Sequence, residues 1–114
     1  MAAKSFGRIT VASPDTAIQA TVNESVPSTR FSVHSLMFER DDPNDTGLVY
    51  IGTSASMNRT TLVGVVAILA VPTDNFLPVF TVTITHMPDG INANEYFIDA
   101  DVAGDSVLIS AIVG

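Results

Sequence analysis

Cysteine and tryptophan are both absent from this 114-residue chain. Without cysteine there are no disulfides, no thiolate metal ligands and no cysteine nucleophile, and the redox compartment is left open. Bases are scarce as well: five Lys and Arg stand against twelve Asp and Glu, a formal net charge of −7. That sign is wrong for neutralising the phosphates of DNA or RNA, so nucleic acid is not an expected partner. The scarcity is uneven. Arg59 is the last base, and residues 60–114 hold six acids (Asp74, Asp89, Glu95, Asp99, Asp101 and Asp105), which leaves −6 in that part and −1 before it. Such a field repels anionic membrane surfaces and steers basic protein surfaces inward, although a solvated acidic face is the simpler account. Long apolar runs are also missing. The longest, Leu62 to Val71, has ten residues, about half of what a helix needs to cross a bilayer. Met1 to Arg8 is followed by no apolar stretch of secretory length, so neither a signal peptide nor a membrane span is expected.

What the chain does have is β-branched side chains. Val, Ile and Thr number 14, 9 and 12, and these residues fit a pleated surface better than a helix. Hydrophobic residues make up 46% and charged residues 15% of the chain, which excludes a solvated disordered polymer. The length fits one domain.

Alternation with a period of two is visible where Ile18, Ala20 and Val22 interleave with Gln19 and Thr21. It recurs where Val79, Thr81, Thr83 and Thr85 interleave with Phe80, Val82 and Ile84. The same pattern predicts eight strands, at about 6–12, 16–22, 29–39, 48–54, 61–71, 79–86, 95–101 and 106–113. Breakers such as Ser13-Pro14-Asp15, Asp41 to Gly47, Pro72 to Asn75 and Pro88-Asp89-Gly90 separate them. Eight strands with wide spacing predict an all-β, two-sheet sandwich with Greek-key connections, a jelly roll. An immunoglobulin-like sandwich is the nearest alternative but lacks its Cys, Trp, Cys signature.

The run from Leu62 to Val71 is apolar on both faces. Its five β-branched residues, Gly64 and the following Pro72 favour a strand over a helix. A two-layer sandwich buries only one face of each sheet, so something must cover the other. Either the chain's own arm and loops do so, or a second copy or another protein does. The expected subunit interface is Val63, Val65 and Ile68 of this strand together with Leu108 and Ile112 of the last. Residues 1–14 are expected to form an N-terminal arm that reaches a neighbouring protein, with residues 15–114 as the sandwich domain.

Few motifs point to chemistry. Asp45-Thr46-Gly47 matches the triplet of retroviral-type aspartic proteases, whose paired carboxylates share a proton. Here it follows Asp41-Asp42-Pro43-Asn44 and enters a strand, which is turn chemistry. The same loop offers Asp42, Asn44, Thr46 and Gly47 at EF-hand-like positions, but Thr53 stands where a bidentate Glu is needed. An irregular oxygen site from Asp41, Asp42 and Asp45 is the weaker alternative to a solvated loop. His34 and His86 have no ligand spacing with each other. Asp99 and Asp101 share one face of a strand, close enough for acid–base work or a metal, with no evident partner. Gly52 to Ser56 lacks the final glycine of a nucleophile elbow. The three Asn-x-Ser/Thr sequons, at Asn23, Asn44 and Asn58, read as turns. No enzyme and no cofactor are expected.

The order of motifs nonetheless has a likeness. Asn44-Asp-Thr-Gly-Leu-Val-Tyr-Ile-Gly52, an apolar central strand, and then Ile91-Asn-Ala-Asn-Glu-Tyr-Phe-Ile-Asp-Ala-Asp-Val-Ala-Gly-Asp-Ser-Val-Leu-Ile-Ser110 resemble small structural proteins of tailed-bacteriophage virions. The resemblance covers roughly residues 44–113. It implies a capsid decoration (cement) protein: a β-sandwich, often trimeric, seated on the outside of the major capsid protein shell and stiffening it against internal pressure. The apolar run at 62–71 departs from that pattern, where related chains show a more polar turn. A receptor- or glycan-binding module of a tail fibre or baseplate is the alternative, since jelly rolls also serve lectins. For that role Phe76 is the one aromatic expected on a loop.

Overall fold

The computed structural model describes residues 2–23, 32–83 and 91–113. Among these residues ten strands run in chain order: β1 Ala2–Thr10, β2 Ile18–Gln19, β3 Ser32–Val33, β4 Ser35–Glu39, β5 Val49–Gly52, β6 Val65–Leu69, β7 Val79–Thr83, β8 Ile91–Asn92, β9 Phe97–Ala100 and β10 Ser106–Val113. A 3₁₀ turn, Ala93–Glu95, lies between β8 and β9. The chain is all-β. One four-stranded sheet has the order β1-β10-β4-β7 and a second the order β2-β9-β5-β6, while β3 and β8 pair by themselves. Every pairing is antiparallel.

The eight strands of the two larger sheets are nested. β1 pairs with β10, β2 with β9, β4 with β7 and β5 with β6, so the first pairs with the last and the middle two with each other. Consecutive strands therefore often lie in opposite sheets, and this gives the wide spacing along the sequence.

Alternation sets the two faces. In β4, Leu36 and Phe38 are buried while Ser35, Met37 and Glu39 are half-buried; in β10, Val107, Ile109 and Ala111 are buried while Leu108, Ser110 and Ile112 are half-buried. The inward sets meet those of the second sheet, Val49, Ile51 and Ile98, to form one core. Phe38 stands at its centre, with ring centroids 6.0 Å from Phe80 and 5.8 Å from Tyr96, a spacing that adds aromatic attraction to simple burial.

Several expectations from the sequence need correction. The N-terminal segment is not an arm set apart at residue 14: β1 pairs with β10 along its length and delivers Phe6 and Ile9 to the core. A bulge between Ser5 and Gly7, with Gly7 at φ +80°, makes this possible. Asn23 Nδ2 donates to the carbonyls of Phe6, the residue the bulge leaves out of register, and of Arg8. The 61–71 run is strand only from Val65 to Leu69, because residues 58–64 close a turn. The expected strand at 29–39 is divided at His34, and its residues 29–31 lie outside the described residues, as do 84–86 of the sixth. Within 95–101 only Phe97–Ala100 is strand, and within 16–22 only Ile18–Gln19, because the chain turns at residues 20–23 and leaves Thr21 buried and Val22 exposed.

Candidate interaction surfaces

Among the described residues the most deeply buried charge belongs to Arg40, whose side chain has 0% exposure. Its Nη1 donates to the carbonyls of Gly47, Leu69 and Ala70. Its Nη2 lies 3.2 Å from Asp45 Oδ2 and 3.5 Å from Asp105 Oδ2. Asp105 in turn accepts the amides of Thr46 and Gly47, and Asp45 Oδ2 accepts the amide and hydroxyl of Ser106. One guanidinium thus ties the 40–47 loop, the end of β6 and the start of β10 into one knot. This accounts for the Asp-Thr-Gly triplet: the Asp45 carboxylate is engaged within the fold. The neighbouring carboxylates do not converge with it. Asp41 pairs with Arg8 at 2.8 Å, and Asp42 Oδ1 accepts the Asn44 amide. Among the described residues, no group of three or more His, Cys, Asp or Glu is arranged to hold a metal ion. The backbone amide of His34 donates to the Ile112 carbonyl; His86 lies outside the described residues.

A strap, residues 53–64, lies over the outer face of the second sheet between β5 and β6. Its tip is held by Asn58, whose amide donates to the Val63 carbonyl, whose carbonyl accepts the Leu62 amide, and whose Oδ1 accepts the amides of Thr60 and Thr61. The turn requires left-handed backbone at Leu62 (φ +64°) and Gly64 (φ +77°); for leucine that conformation is unfavourable by about 1 kcal/mol or more. Gly52 allows the strap to lie close, since a Cβ there would stand 2.7 Å from both Met57 Sδ and the Gly64 carbonyl oxygen.

Arg59 fastens the strap. Its Nη2 is 2.8 Å from Asp15 Oδ1, its Nη1 donates to Asp101 Oδ1, and its Nε is 3.4 Å from Asp99 Oδ2. Asp99 is 1% exposed, and its other oxygen accepts the amides of Asp15 and Ala100. Tyr50 Oη donates to Asp101 Oδ2 at 3.1 Å. The partner that the sequence did not reveal for Asp99 and Asp101 is therefore Arg59. Burial disfavours the charge on Arg59, yet its hydrogen bonds to Asp15 and Asp101 prevail and raise its pKa. Burial also raises the pKa of Tyr50, reinforced by its hydrogen bond to Asp101 and the charge there.

The five residues expected at a subunit interface fall on two surfaces. Val63, 68% exposed, is at the strap tip, and Ile68, 44% exposed, is on β6 with half-buried Val65. Leu108 and Ile112 lie on the outer face of the first sheet. In register, that face places Ala3 beside Ile112, Ser110 beside Met37, and Met37 beside Thr81. Together with Ser35 these residues line a depression of about 200 Å³ that contains no charged side chain. Of nine exposed large hydrophobic residues among those described, seven lie between residues 62 and 79: Leu62, Val63, Val66, Ile68, Phe76, Leu77 and Val79. They follow β6, the connecting loop and β7, which are edge strands of opposite sheets. Beside that loop a second hollow of about 310 Å³ is lined by Asp41, Pro43, Pro72, Thr73, Asp74 and Leu77. No protein-family model, curated protein or solved structure matches the chain.

Proposed function

We propose that this chain is a non-enzymatic structural protein of a tailed-phage virion, a capsid decoration protein that binds as a homo-oligomer, a trimer, to the outer surface of the major capsid protein shell. The observation that carries the reading is the concentration of exposed hydrophobic side chains between Leu62 and Val79. A strongly acidic chain keeps such a patch in water at a cost, and a covered patch removes that cost. The nested pairing of the eight principal strands supports the jelly-roll reading, and the likeness of residues 44–113 to phage structural proteins supplies the virion context.

The mechanism is mechanical. A protein that binds an assembled lattice and not its free subunits stabilises that lattice by mass action. A closed oligomer adds avidity, because its second and third contacts form at high effective concentration. The test is cryo-electron microscopy of virions carrying this chain, together with sedimentation of the purified protein with empty shells. Density of this sandwich at regular positions outside the shell, with saturable co-sedimentation, is the expected result. Protein that neither co-sediments nor occupies the shell exterior overturns the capsid role.

One observation favours the tail-fibre or baseplate alternative. Phe76, 59% exposed, lies on the loop beside the hollow that contains Asp41 and Asp74, and an aromatic face with nearby carboxylates is a usual way to hold a sugar. Saturable binding on a glycan array, lost in Phe76→Ala, would replace the capsid reading with this one.

A further inference from the structure

We infer that the free edge of β7 is a contact between copies: it pairs antiparallel with β7 of a second chain about a two-fold axis beside Phe80, joining two first sheets into one. The inference rests on the homo-oligomer part of the proposed function. It rests neither on the capsid part nor on the three-fold count, since a two-fold contact closes a dimer by itself and also links two trimers.

The register decides which backbone groups are free. The Arg40 amide donates to the Pro78 carbonyl, and in an antiparallel ladder bonded and unbonded pairs alternate. Phe38 with Phe80 and Leu36 with Val82 are therefore bonded pairs, while Glu39 with Val79 and Met37 with Thr81 are not. Val79 and Thr81 consequently point their N–H and C=O groups away from β4, and both residues are exposed. Among the described residues no partner meets those groups. The other three sheet edges are blunted. β1 is bulged between Ser5 and Gly7, carries Lys4 and Arg8, and gives the Phe6 and Arg8 carbonyls to Asn23. β2 has two residues, and β6 leaves regular register at Val66. Bulges, charges and shortness are the ordinary protections of an edge strand. β7 has none of them: its five residues are uncharged and keep regular register with β4.

A row of outward donors and acceptors takes an extended strand, and the strand that fits is β7 itself. With the axis beside Phe80, Val79 of each copy stands opposite Thr81 of the other, and the free groups of both residues in both copies close into hydrogen bonds. Phe80 of one copy then faces Phe80 of the other as an unbonded pair, the kind that brings side chains closest. Each of these rings is only half-buried at the margin of its own core, so the pairing completes its burial. Val66 and Ile68, exposed on β6 beside β7, flank the same seam. Charge permits the approach, because β6 and β7 carry no charged side chain. The nearby acids are Glu39, opposite Val79, and Asp74, in the loop before it; antiparallel pairing places each at the far end of the seam from its counterpart. A basic strand of a foreign protein, by contrast, has no run of acids to meet along β7.

Sedimentation of the purified full chain is expected to give twice the 12.0 kDa chain mass, or an even multiple of it. Thr81→Pro removes an N–H that faces the edge and none that β4 uses, a place where an edge strand tolerates proline. It is expected to halve the mass and leave the circular dichroism unchanged. The absence of native cysteine allows a second reading that does not depend on the proline variant folding. With a short bis-maleimide, Thr81→Cys is expected to give a two-chain band well above that of Val102→Cys, an exposed position outside the seam that reports collisional background. A Thr81→Cys band no stronger than background overturns the inference, and so does a folded Thr81→Pro protein that keeps the wild-type mass. A wild-type chain that sediments as a single copy overturns it together with the homo-oligomer part of the proposed function. A trimer without the Thr81→Cys cross-link overturns it alone, and co-sedimentation with empty shells judges the capsid role separately.

Discussion

Arg59 Nε and Asp99 Oδ2 face each other at 3.4 Å across the outer surface of the second sheet, with the arginine side chain 17% exposed and the aspartate 1%. The pair joins a loop to a strand that the sequence separates widely. Together with the pairs to Asp15 and Asp101 it ties residues 53–64 to the second sheet, beside the exposed Leu62 and Val63.

Replacing Arg59 by Ala is expected to release the strap and leave the buried Asp99 carboxylate without a counter-charge. Breaking a buried pair from one side costs about 3–5 kcal/mol. The partial exposure of Arg59 and the open position of Asp15 bring the expected loss below that range, to about 2–3 kcal/mol. Urea denaturation measures it, and hydrogen exchange at the amides of Leu62 and Val65 is expected to accelerate. Unchanged protection there would show that Asn58 alone holds the strap.

Arg40→Leu is expected to be more damaging, because it strands Asp45 and Asp105 together in the interior. A loss of about 3–5 kcal/mol is the scale for removing one member of such a network. Combining it with Asp45→Asn and Asp105→Asn removes both stranded charges, and the triple variant is expected to recover part of that loss. A triple variant less stable than Arg40→Leu alone would mean that the carboxylates stabilise the loop without the guanidinium, through the amides of Thr46, Gly47 and Ser106.

Alkaline pH gives a third measurement. Burial raises the pKa of Tyr50, with help from its hydrogen bond to Asp101 and the charge there, and burial raises that of Tyr96, with help from the charge of Glu95. The folded chain therefore holds both phenolic protons more tightly than the unfolded chain, whose tyrosines ionise near 10.0. Their contribution to stability is complete below that pH and is lost as pH climbs through the raised folded values. Phenolate absorbance of the native protein is expected to lag behind that of the urea-unfolded chain. Superimposable titrations would contradict the burial of both hydroxyls.

Deleting residues 1–12 tests what the N-terminus does. The deletion takes away β1, strips the β10 edge of its partner and exposes the space left by Phe6 and Ile9. Emptying one large buried side chain costs about 3–5 kcal/mol, so removal of the strand is expected to leave an unfolded or aggregated protein by circular dichroism. A shortened chain that folds and is lost only from shells would restore the free-arm expectation.

Much of the architecture was legible in the residues themselves. The β-branched content and the alternation in Val79 to Thr83 show which residues face inward there, because a strand has a local period of two that needs no knowledge of its neighbours. The turns at Pro14-Asp15 and Asp41 to Gly47 were legible for the same reason. Leu62 to Gly64 was not: its composition reads as strand, and only the hydrogen bonds around Asn58 force the left-handed turn.

What the tertiary structure alone decided is which distant residues meet. Arg59 lies 42 positions from Asp101 and 44 from Asp15, and Arg40 lies 65 from Asp105. Such separations leave no mark on local periodicity, because charged pairing at that range follows from the nesting of the strands. The same nesting sends Val63 to one outer face and Ile112 to the other. Hydrophobic pattern tells a side chain whether it lies outside the core, while strand order decides on which side of the sandwich it emerges.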